Sequence, residues 1–326
     1  FEVCDAIYFL AYKDGKVVGR IAGMINRRSN ETWNQKHARF GFVDFIDDIE
    51  VVDALFGAVE KWAKEQGMDG PMGFTDMDHE GMLIEGFDQI GTMATIYNYP
   101  YYPKQMERMG YMKDQDWHEF KIYIPDGVPE KHLRIGEIVK KKYGLKVMKF
   151  KNAKSIMPYA QKVFRTLNES YAPLYGFARL TQKQIDYYIN MYIPMLRYDL
   201  VTLIVREEDD EVVGFGISLP NLSKAMQKAK GHLFPFGWIY LLKALKSKPK
   251  VIDLYLTGVL PEYQSKGVNA LLFNDLIPVY KSVGAIYAES NPELETNNAV
   301  QAQWDYFKRE HHKTRRAYIK QLKGKS

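Results

Sequence analysis

The sequence is poor in cysteine: Cys4 is the only one among its 326 residues. A single cysteine excludes an intramolecular disulfide framework and a zinc site built on cysteine ligands. Such a composition is typical of a reducing compartment, so we predict a cytoplasmic protein.

The sequence also lacks long apolar runs. None approaches the roughly 20 residues that span a bilayer, and the first residues do not resemble a signal peptide. The chain begins without methionine, inside the strand-like run "YFLAYKDG", which predicts that residues upstream of it are missing. A length of 326 residues with 46% hydrophobic content favours two domains.

Acidic residues are missing from one long segment. None occurs between Glu211 and Asp253. Lysine recurs there, at Lys224, Lys228, Lys230, Lys243, Lys246, Lys248 and Lys250. Residues 231–250, "GHLFPFGWIYLLKALKSKPK", suit a short interfacial helix that contacts an anionic membrane or a long acyl chain. The alternative, which we prefer on sequence alone, is a helix packed over a sheet with its lysines in solvent.

An internal repeat is present. Residues 9–26, "FLAYKDGKVVGRIAGMIN", and 203–221, "LIVREEDDEVVGFGISLPN", each predict a hairpin, because alternating apolar residues flank a turn. Each is followed by a strand, a helix that ends at Gly67 or Gly284, a further strand and an aromatic-rich helix. We therefore predict a tandem of two related α/β units.

The predicted units have the following limits. Residues 1–124 form the first unit, whose first elements are missing. Residues 125–144 form a turn and a linker helix, because Pro-Asp-Gly breaks structure and an apolar periodicity then resumes. Residues 145–326 form the second unit.

The segment "LPEYQSKGVNALLF", residues 260–273, predicts a strand, a polar loop and a helix. Unpaired amides and the helix dipole at such a helix start attract pyrophosphate, and Gly267 allows close approach. The alternative is that Gly267 only permits a turn. On the loop alone, we favour the turn.

The order of elements in the second unit, with its Gln-x-x-Gly-x-Asn loop, resembles the GNAT (GCN5-related N-acetyltransferase) family. The resemblance covers most of residues 145–326 and, more loosely, 1–124. It implies two tandem GNAT-like units, each a mixed twisted sheet flanked by helices, with acetyl-CoA or another acyl-CoA as donor. The family's pyrophosphate-binding loop corresponds to Gln264, Ser265, Lys266, Gly267, Val268 and Asn269. Its pantetheine-binding strand end corresponds to Gly258, Val259 and Leu260.

The resemblance also implies a site for acyl transfer. Asn297 matches the asparagine that opens the family's last helix. Trp304 stands where many members have the tyrosine that protonates the leaving thiolate. Glu289 is our candidate base, because its strand borders the region where such folds place the acyl group. The alternative is that Glu289 pairs with a lysine. The candidate acids are Tyr306 and Tyr287, with a buried structural role as the alternative for each.

The first unit departs from the family pattern. Its loop reads "IDDIEVVDALF", residues 46–56, and these acids would repel a pyrophosphate. We predict a degenerate unit that shapes the acceptor site. The segment "GTMATIYNYPYYP", residues 91–103, either lines an acceptor pocket or packs in a core. Asp76, Asp78 and His79 match no strong metal motif, so we predict no metal.

The sequence thus predicts an acyl-CoA-dependent N-acyltransferase, with N-acetyl transfer as first choice and a small-molecule or lipid amine as acceptor. One alternative is a long-chain N-acyltransferase at a membrane surface, and another is a non-catalytic binding protein. No nucleic-acid motif occurs in the basic end, residues 308–325, which we predict to be a last helix and strand with solvated charges. Acceptor, acyl length and oligomeric state stay open.

Overall fold

The computed structural model describes residues 3–68, 70–73 and 81–322. The strands are β1 (Cys4–Lys13), β2 (Lys16–Asn26), β3 (His37–Phe45), β4 (Gly70–Gly73), β5 (Met82–Glu85), β6 (Met112–Tyr123), β7 (Leu145–Met148), β8 (Val201–Arg206), β9 (Val212–Pro220), β10 (Val251–Val259), β11 (Tyr287–Glu289), β12 (Glu293–Leu294) and β13 (Arg309–Ile319).

The helices are α1 (Arg27–Thr32), α2 (Ile49–Glu65), α3 (Tyr101–Arg108), α4 (Glu130–Tyr143), α5 (Ala153–Tyr171), α6 (Gln182–Tyr192), α7 (Ser223–Ala229), α8 (Gly237–Lys246), α9 (Asn269–Ser282) and α10 (Asn298–Gln301). Short 3-10 turns cover Ile193–Met195, Tyr198–Leu200, Pro261–Tyr263 and Ala302–Tyr306. No described helix has the length and apolar character needed to cross a membrane.

The smaller sheet has the strand order β1-β2-β3-β4. Its first hairpin turns at Asp14-Gly15, where both residues have positive φ, as the sequence predicts. Helix α2 buries Val52, Leu55, Phe56 and Val59, whose spacing places them on one helix face against this sheet. The first half therefore has its own core.

The larger sheet has the order β5-β13-β6-β11-β10-β9-β8-β7, and β12 pairs with β6. The predicted second hairpin is β8 and β9. Helix α5 packs on one face, through Val163 and Leu167 against Leu203 and Phe215. Helix α9 packs on the other face, where Leu272 meets Ile204.

The two halves are joined through their last strands. Strand β6 belongs to the first half in sequence, yet it lies between β11 and β13 in the larger sheet. Strand β13, at the other end of the chain, pairs with β6 and β5 and contacts β4. The predicted unit limits therefore stay a prediction: 1–124, 125–144 and 145–326. One hydrogen-bonded sheet contains strands from both predicted units.

The basic end of the chain corrects one expectation. Residues 309–319 are a single strand, and Lys313 and Arg315 are each only 1% exposed. Glu119 lies 2.5 Å from each of them, from Oε2 to Lys313 Nζ and from Oε1 to Arg315 Nε. The prediction of solvated charges is wrong for these two residues, because strand β13 is paired on both sides, with β5 and with β6.

Candidate active site

Strands β10 and β11 separate in the middle of the larger sheet. They pair in parallel only from Val251 to Asp253 and from Tyr287 to Glu289. Strand β10 continues to Val259, paired with β9 on its other side. Beyond Asp253 the edge of β10 that faces β11 is therefore free of strand pairing, which leaves a cleft with backbone groups on one wall.

Side chains cover part of this free edge. Three alternate carbonyls of β10 each accept a hydrogen bond from a side chain of another element. The pairs are Asn291 Nδ2 with Tyr255, Tyr171 OH with Thr257 (2.9 Å) and Gln264 Nε2 with Val259 (3.0 Å). These carbonyls can accept equally from a ligand that displaces the side chains.

A cavity of about 580 Å³ fills the cleft. Its wall is mostly apolar, with side chains from α5, α6, β10 and α9, among them Leu167, Tyr188, Leu256, Phe273 and Leu276. A second apolar cavity of about 60 Å³ shares Tyr188 and Leu256 with the first and extends to Leu222 and Leu245. The volume of the larger cavity, about 580 Å³, is within the range of roughly 300–1,000 Å³ that is usual for small-molecule sites.

Helix α9 begins at the mouth of this cavity. Among the described residues, no side chain caps its N-terminus. Gln264, Ser265 and Lys266 are exposed, and Asn269 lines the cavity. The amides of the first helical turn therefore lack the carboxylate that would repel an anion.

The structure requires glycine at position 267 independently of any role in binding. Its φ is +81°, and a Cβ there would lie 2.7 Å from Cγ2 of Ile135 on α4. Helix α4 is also tied to α9 where Asn274 Nδ2 donates to the His132 carbonyl at 3.1 Å. The turn and the packing of α4 account for Gly267, and its contact with phosphate stays a prediction.

The corresponding helix start in the first half is different. Asp48 caps α2, because its Oδ1 accepts from the amides of Glu50 at 2.9 Å and Val51 at 3.4 Å. Lys13 Nζ lies 2.5 Å from Asp48 Oδ2, and this contact lowers the pKa of Asp48. A carboxylate of the chain itself therefore occupies the place that a phosphate would take.

Glu293 supplies a titratable group to the cavity wall. Trp304 Nε1 donates to its Oε1 at 2.7 Å, while its buried Oε2 has no hydrogen-bond partner in the described ranges. Burial raises the pKa of Glu293 to about 7. A carboxyl with that pKa can exchange a proton at neutral pH.

Glu293 is not among the site residues predicted from the sequence. Nothing in "ESNPELETNN" distinguishes it from its neighbours, because its pKa depends on burial. Trp304 was the available signal, since an indole N–H in a core needs an acceptor. Asn297 also lines the cavity, and its side chain accepts from the amide of Val300 at 3.3 Å.

Glu289 lies at the last paired position of β11, between the cavity-lining residues Ala288 and Ser290. Its Oε1 lies 2.7 Å from both Lys313 Nζ and His312 Nε2, and the residue is 4% exposed. The alternative interpretation, a carboxylate paired with lysine, thus describes its contacts. Its role as a base stays a prediction.

Asp253 is the register partner of Glu289 and belongs to the same buried group. Burial raises its pKa to about 7, and the nearby charge of Glu289 adds to the effect. Asn221 Nδ2 donates to Asp253 Oδ1 at 2.7 Å. Carboxyl and basic groups therefore lie together where β10 and β11 begin to separate.

The two candidate acids lie outside the set of cavity-lining residues. Tyr306 is 49% exposed, and Lys131 Nζ donates to its hydroxyl at 2.5 Å. Tyr287 lies beside Tyr123, and burial followed by the charge of Glu289 raises its pKa. Both assignments stay predictions.

The aromatic segment of residues 91–103 divides between its two interpretations. Its first part lines the cavity through Met93 and Ile96. Tyr102 instead stacks on Phe45 in the core of the first half, with ring centroids 4.1 Å apart. Asp76, Asp78 and His79 lie outside the described residues. In the part of the chain that the structure covers, no group of three or more His, Cys, Asp or Glu residues is placed to hold a metal ion.

The overall fold is shared with known structures. A tandem GNAT protein from the clavulanic acid biosynthesis pathway superimposes with a TM-score of 0.55 and 12% identity, covering 99% of this chain and 85% of that one. The GNAT from Sphaerobacter thermophilus gives 0.50 and 12%, covering 95% and 79%. A glucosamine N-acetyltransferase region of a fungal β-N-acetylglucosaminidase gives 0.57 and 13%, covering 97% and 33%. The chain has the GNAT fold, which confirms the predicted fold class.

Two curated proteins are similar over nearly the whole chain. Protein YghO of Escherichia coli (strain K12) is 29% identical over 325 residues, covering 96% of this chain and 82% of its own. The bacterial ceramide synthase of Caulobacter vibrioides (strain NA1000 / CB15N) is 28% identical over 334 residues, covering 99% and 85%. No protein-family model matches the sequence.

Proposed function

We propose that the protein is an acyl-CoA-dependent N-acyltransferase that joins a long acyl chain to a lipid-like amine. The single observation that carries the proposal is the cavity of about 580 Å³ at the point where β10 and β11 separate. An acetyl group would fill little of this volume. The similarity to a protein named bacterial ceramide synthase supports the long-chain alternative over N-acetyl transfer.

The donor lies along the free edge of β10 in this proposal. The amides of Ser265, Gly267, Val268 and Asn269 hold the pyrophosphate at the start of α9. Gln264 and Lys266, whose amides donate to the carbonyls of Leu260 and Tyr263, contribute their side chains. The pantetheine amides bind the backbone near Gly258, Val259 and Leu260 and replace the side chains that now cover the carbonyls. The thioester then reaches the separation of the strands, and the acyl chain enters the apolar cavity.

The reaction needs a neutral amine and an acceptor for its proton. The amine nitrogen attacks the thioester carbonyl, the C–N bond forms and the C–S bond breaks. Glu293, as carboxylate, takes the proton from the amine, directly or through water, and the sulfur leaves as thiolate or takes a proton from a neighbouring group. Trp304 holds Glu293 through Oε1 and acts as a positioning residue. Glu289 remains the alternative base.

Calorimetric titration with acetyl-, octanoyl- and palmitoyl-CoA tests the proposal. Each methylene buried in an apolar site contributes about 0.8 kcal/mol, so affinity should rise steeply along the series. Turnover with palmitoyl-CoA and a long-chain amine is then measured as release of free CoA thiol. A preference for acetyl-CoA would restore the N-acetyltransferase interpretation. Absence of binding by all three donors would favour a carrier-protein donor or a non-catalytic protein.

A further inference from the structure

The segment that lacks acidic residues forms an apolar and basic surface, which we call the α7–α8 surface (residues 223–250). Phe234 is 80% exposed, Phe236 68% and Trp238 43%. Among the residues of α8, only Gly237 is buried. The remaining large exposed apolar side chains of the surface are Met226, Leu233, Tyr240 and Leu242. The preferred interpretation of the sequence, a helix packed over a sheet with its lysines in solvent, describes the lysines but not these exposed apolar side chains.

Local hydrogen bonds hold the protruding aromatic residues in place. Trp238 Nε1 donates to the Pro235 carbonyl at 3.0 Å, and the Trp238 amide donates to the Leu233 carbonyl at 2.9 Å. A Cβ on Gly237 would lie 1.7 Å from the His232 carbonyl oxygen, so only glycine allows this tight loop. The loop therefore presents Phe234 and Phe236 to solvent as a built feature.

The charge around the loop has one sign. Lys224, Lys228, Lys230, Lys243, Lys246, Lys248 and Lys250 are all exposed. Within the described ranges, no salt bridge joins any of these lysines to a carboxylate. Their combined field is therefore not neutralised locally, and it attracts anionic surfaces.

We propose that the α7–α8 surface binds an anionic lipid bilayer, with Phe234 and Phe236 inserted between lipids and the lysines at the headgroups. Protruding aromatic side chains beside exposed lysines are the pattern of peripheral membrane attachment, in which apolar insertion and attraction to anionic lipid add. A second copy of the chain is a poor occupant, because a twofold contact would bring the two lysine clusters together.

The position of the surface gives this attachment a purpose. Leu245 of α8 lies within it, and together with the buried Leu222, which directly precedes α7, it lines the small apolar cavity that adjoins the large one. A lipid chain leaving the bilayer at α8 would therefore meet an apolar path toward the cleft. Membrane binding itself rests on the surface alone, so its test is independent of the acyltransferase proposal.

Co-sedimentation with vesicles tests the proposal directly. The full chain is mixed with vesicles of phosphatidylcholine alone and of phosphatidylcholine with phosphatidylglycerol. We expect binding to the anionic vesicles that falls as salt rises. The double variants Phe234→Ser/Phe236→Ser and Lys243→Glu/Lys246→Glu should each bind at least about tenfold more weakly.

The control is Tyr8→Ser/Leu10→Ser on β1, which removes apolar side chains that are 62% and 54% exposed elsewhere on the molecule. It should sediment like the unchanged protein, and thermal melting should show all variants folded. Failure of the unchanged protein to bind anionic vesicles would overturn the proposal. Equal loss in the β1 control, or no loss in either α7–α8 variant, would also overturn it.

Discussion

The two halves of the molecule begin comparable helices in opposite ways. Helix α2 starts at Asp48, whose carboxylate accepts from the first amides of the helix. Helix α9 starts after Gly267 with no side-chain cap among the described residues, beside the exposed Lys266. Two helices in comparable places of a repeated fold can therefore differ in whether a carboxylate of the chain caps the N-terminus or the first amides stay without a side-chain cap.

An acid placed in the loop before α9 should have the largest effect. Gly267→Glu should abolish measurable acyl-CoA binding, because a carboxylate would repel the pyrophosphate and the side chain would strain a residue with φ of +81°. Calorimetry with palmitoyl-CoA measures the effect. The matched control is Gly57→Glu on α2, an exposed position with open space around it. Equal binding by both variants would remove the loop from the donor site.

The next effect concerns the carboxyl that the second half places in its cavity. Glu293→Gln should lower kcat by roughly 100-fold or more while palmitoyl-CoA binding persists, because the amide cannot accept the proton of the amine. The rate of the unchanged protein should rise with pH through about 7, the pKa of Glu293. Glu289→Gln measured beside it decides between the two bases. A large loss only in Glu289→Gln would transfer the role to Glu289.

The same substitution should change stability in a pH-dependent way. The folded pKa of Glu293 is about 7, against an ordinary value of 4.5. The folded protein therefore binds more protons between these values, and its stability falls as pH rises through that window. At pH 8 Glu293→Gln should raise the melting temperature and increase the free energy of unfolding by on the order of 1–3 kcal/mol. Near pH 4 this increase should be smaller. Denaturant melts at both pH values, with the exposed Glu65→Gln as control, measure this difference.

The smallest effect is expected in the first half. Asp48→Ala removes the cap of α2 and should lower the melting temperature by less than Glu293→Gln raises it at pH 8. It should not create an acyl-CoA site, because the acids at Asp47 and Glu50 remain. Thermal melting and calorimetry check the two statements. Donor binding gained by this variant would show that Asp48 alone closes the site.

Short sequence patterns predict several elements of the fold. The turn at Asp14-Gly15, the apolar face of α2 and the glycines that follow α2 and α9 are properties of short segments, and the structure has each of them. The charged cluster around Lys313 was not predictable in this way. Its burial depends on strand pairing between distant parts of the chain, which no local pattern encodes.

The candidate site shows the same limit. The loop at Gly267 was visible because helix starts have local signatures, whereas Glu293 became a candidate only through burial and its bond to Trp304. The apolar residues and lysines of residues 231–250 are evident in the sequence. It did not reveal that Phe234 and Phe236 protrude, because the exposure of a side chain depends on what packs around it.

The pairing of β6 with β13 has a consequence for synthesis on the ribosome. Arg316 and Asp116 form a two-bonded contact between β13 and β6 across 200 positions of sequence. Strand β6 therefore emerges long before its neighbours, and its open edges persist until translation is nearly complete. Either half made alone would expose an edge that the other normally covers. The chain should accordingly depend on protection by chaperones during synthesis, and separately expressed halves should aggregate unless they are made together.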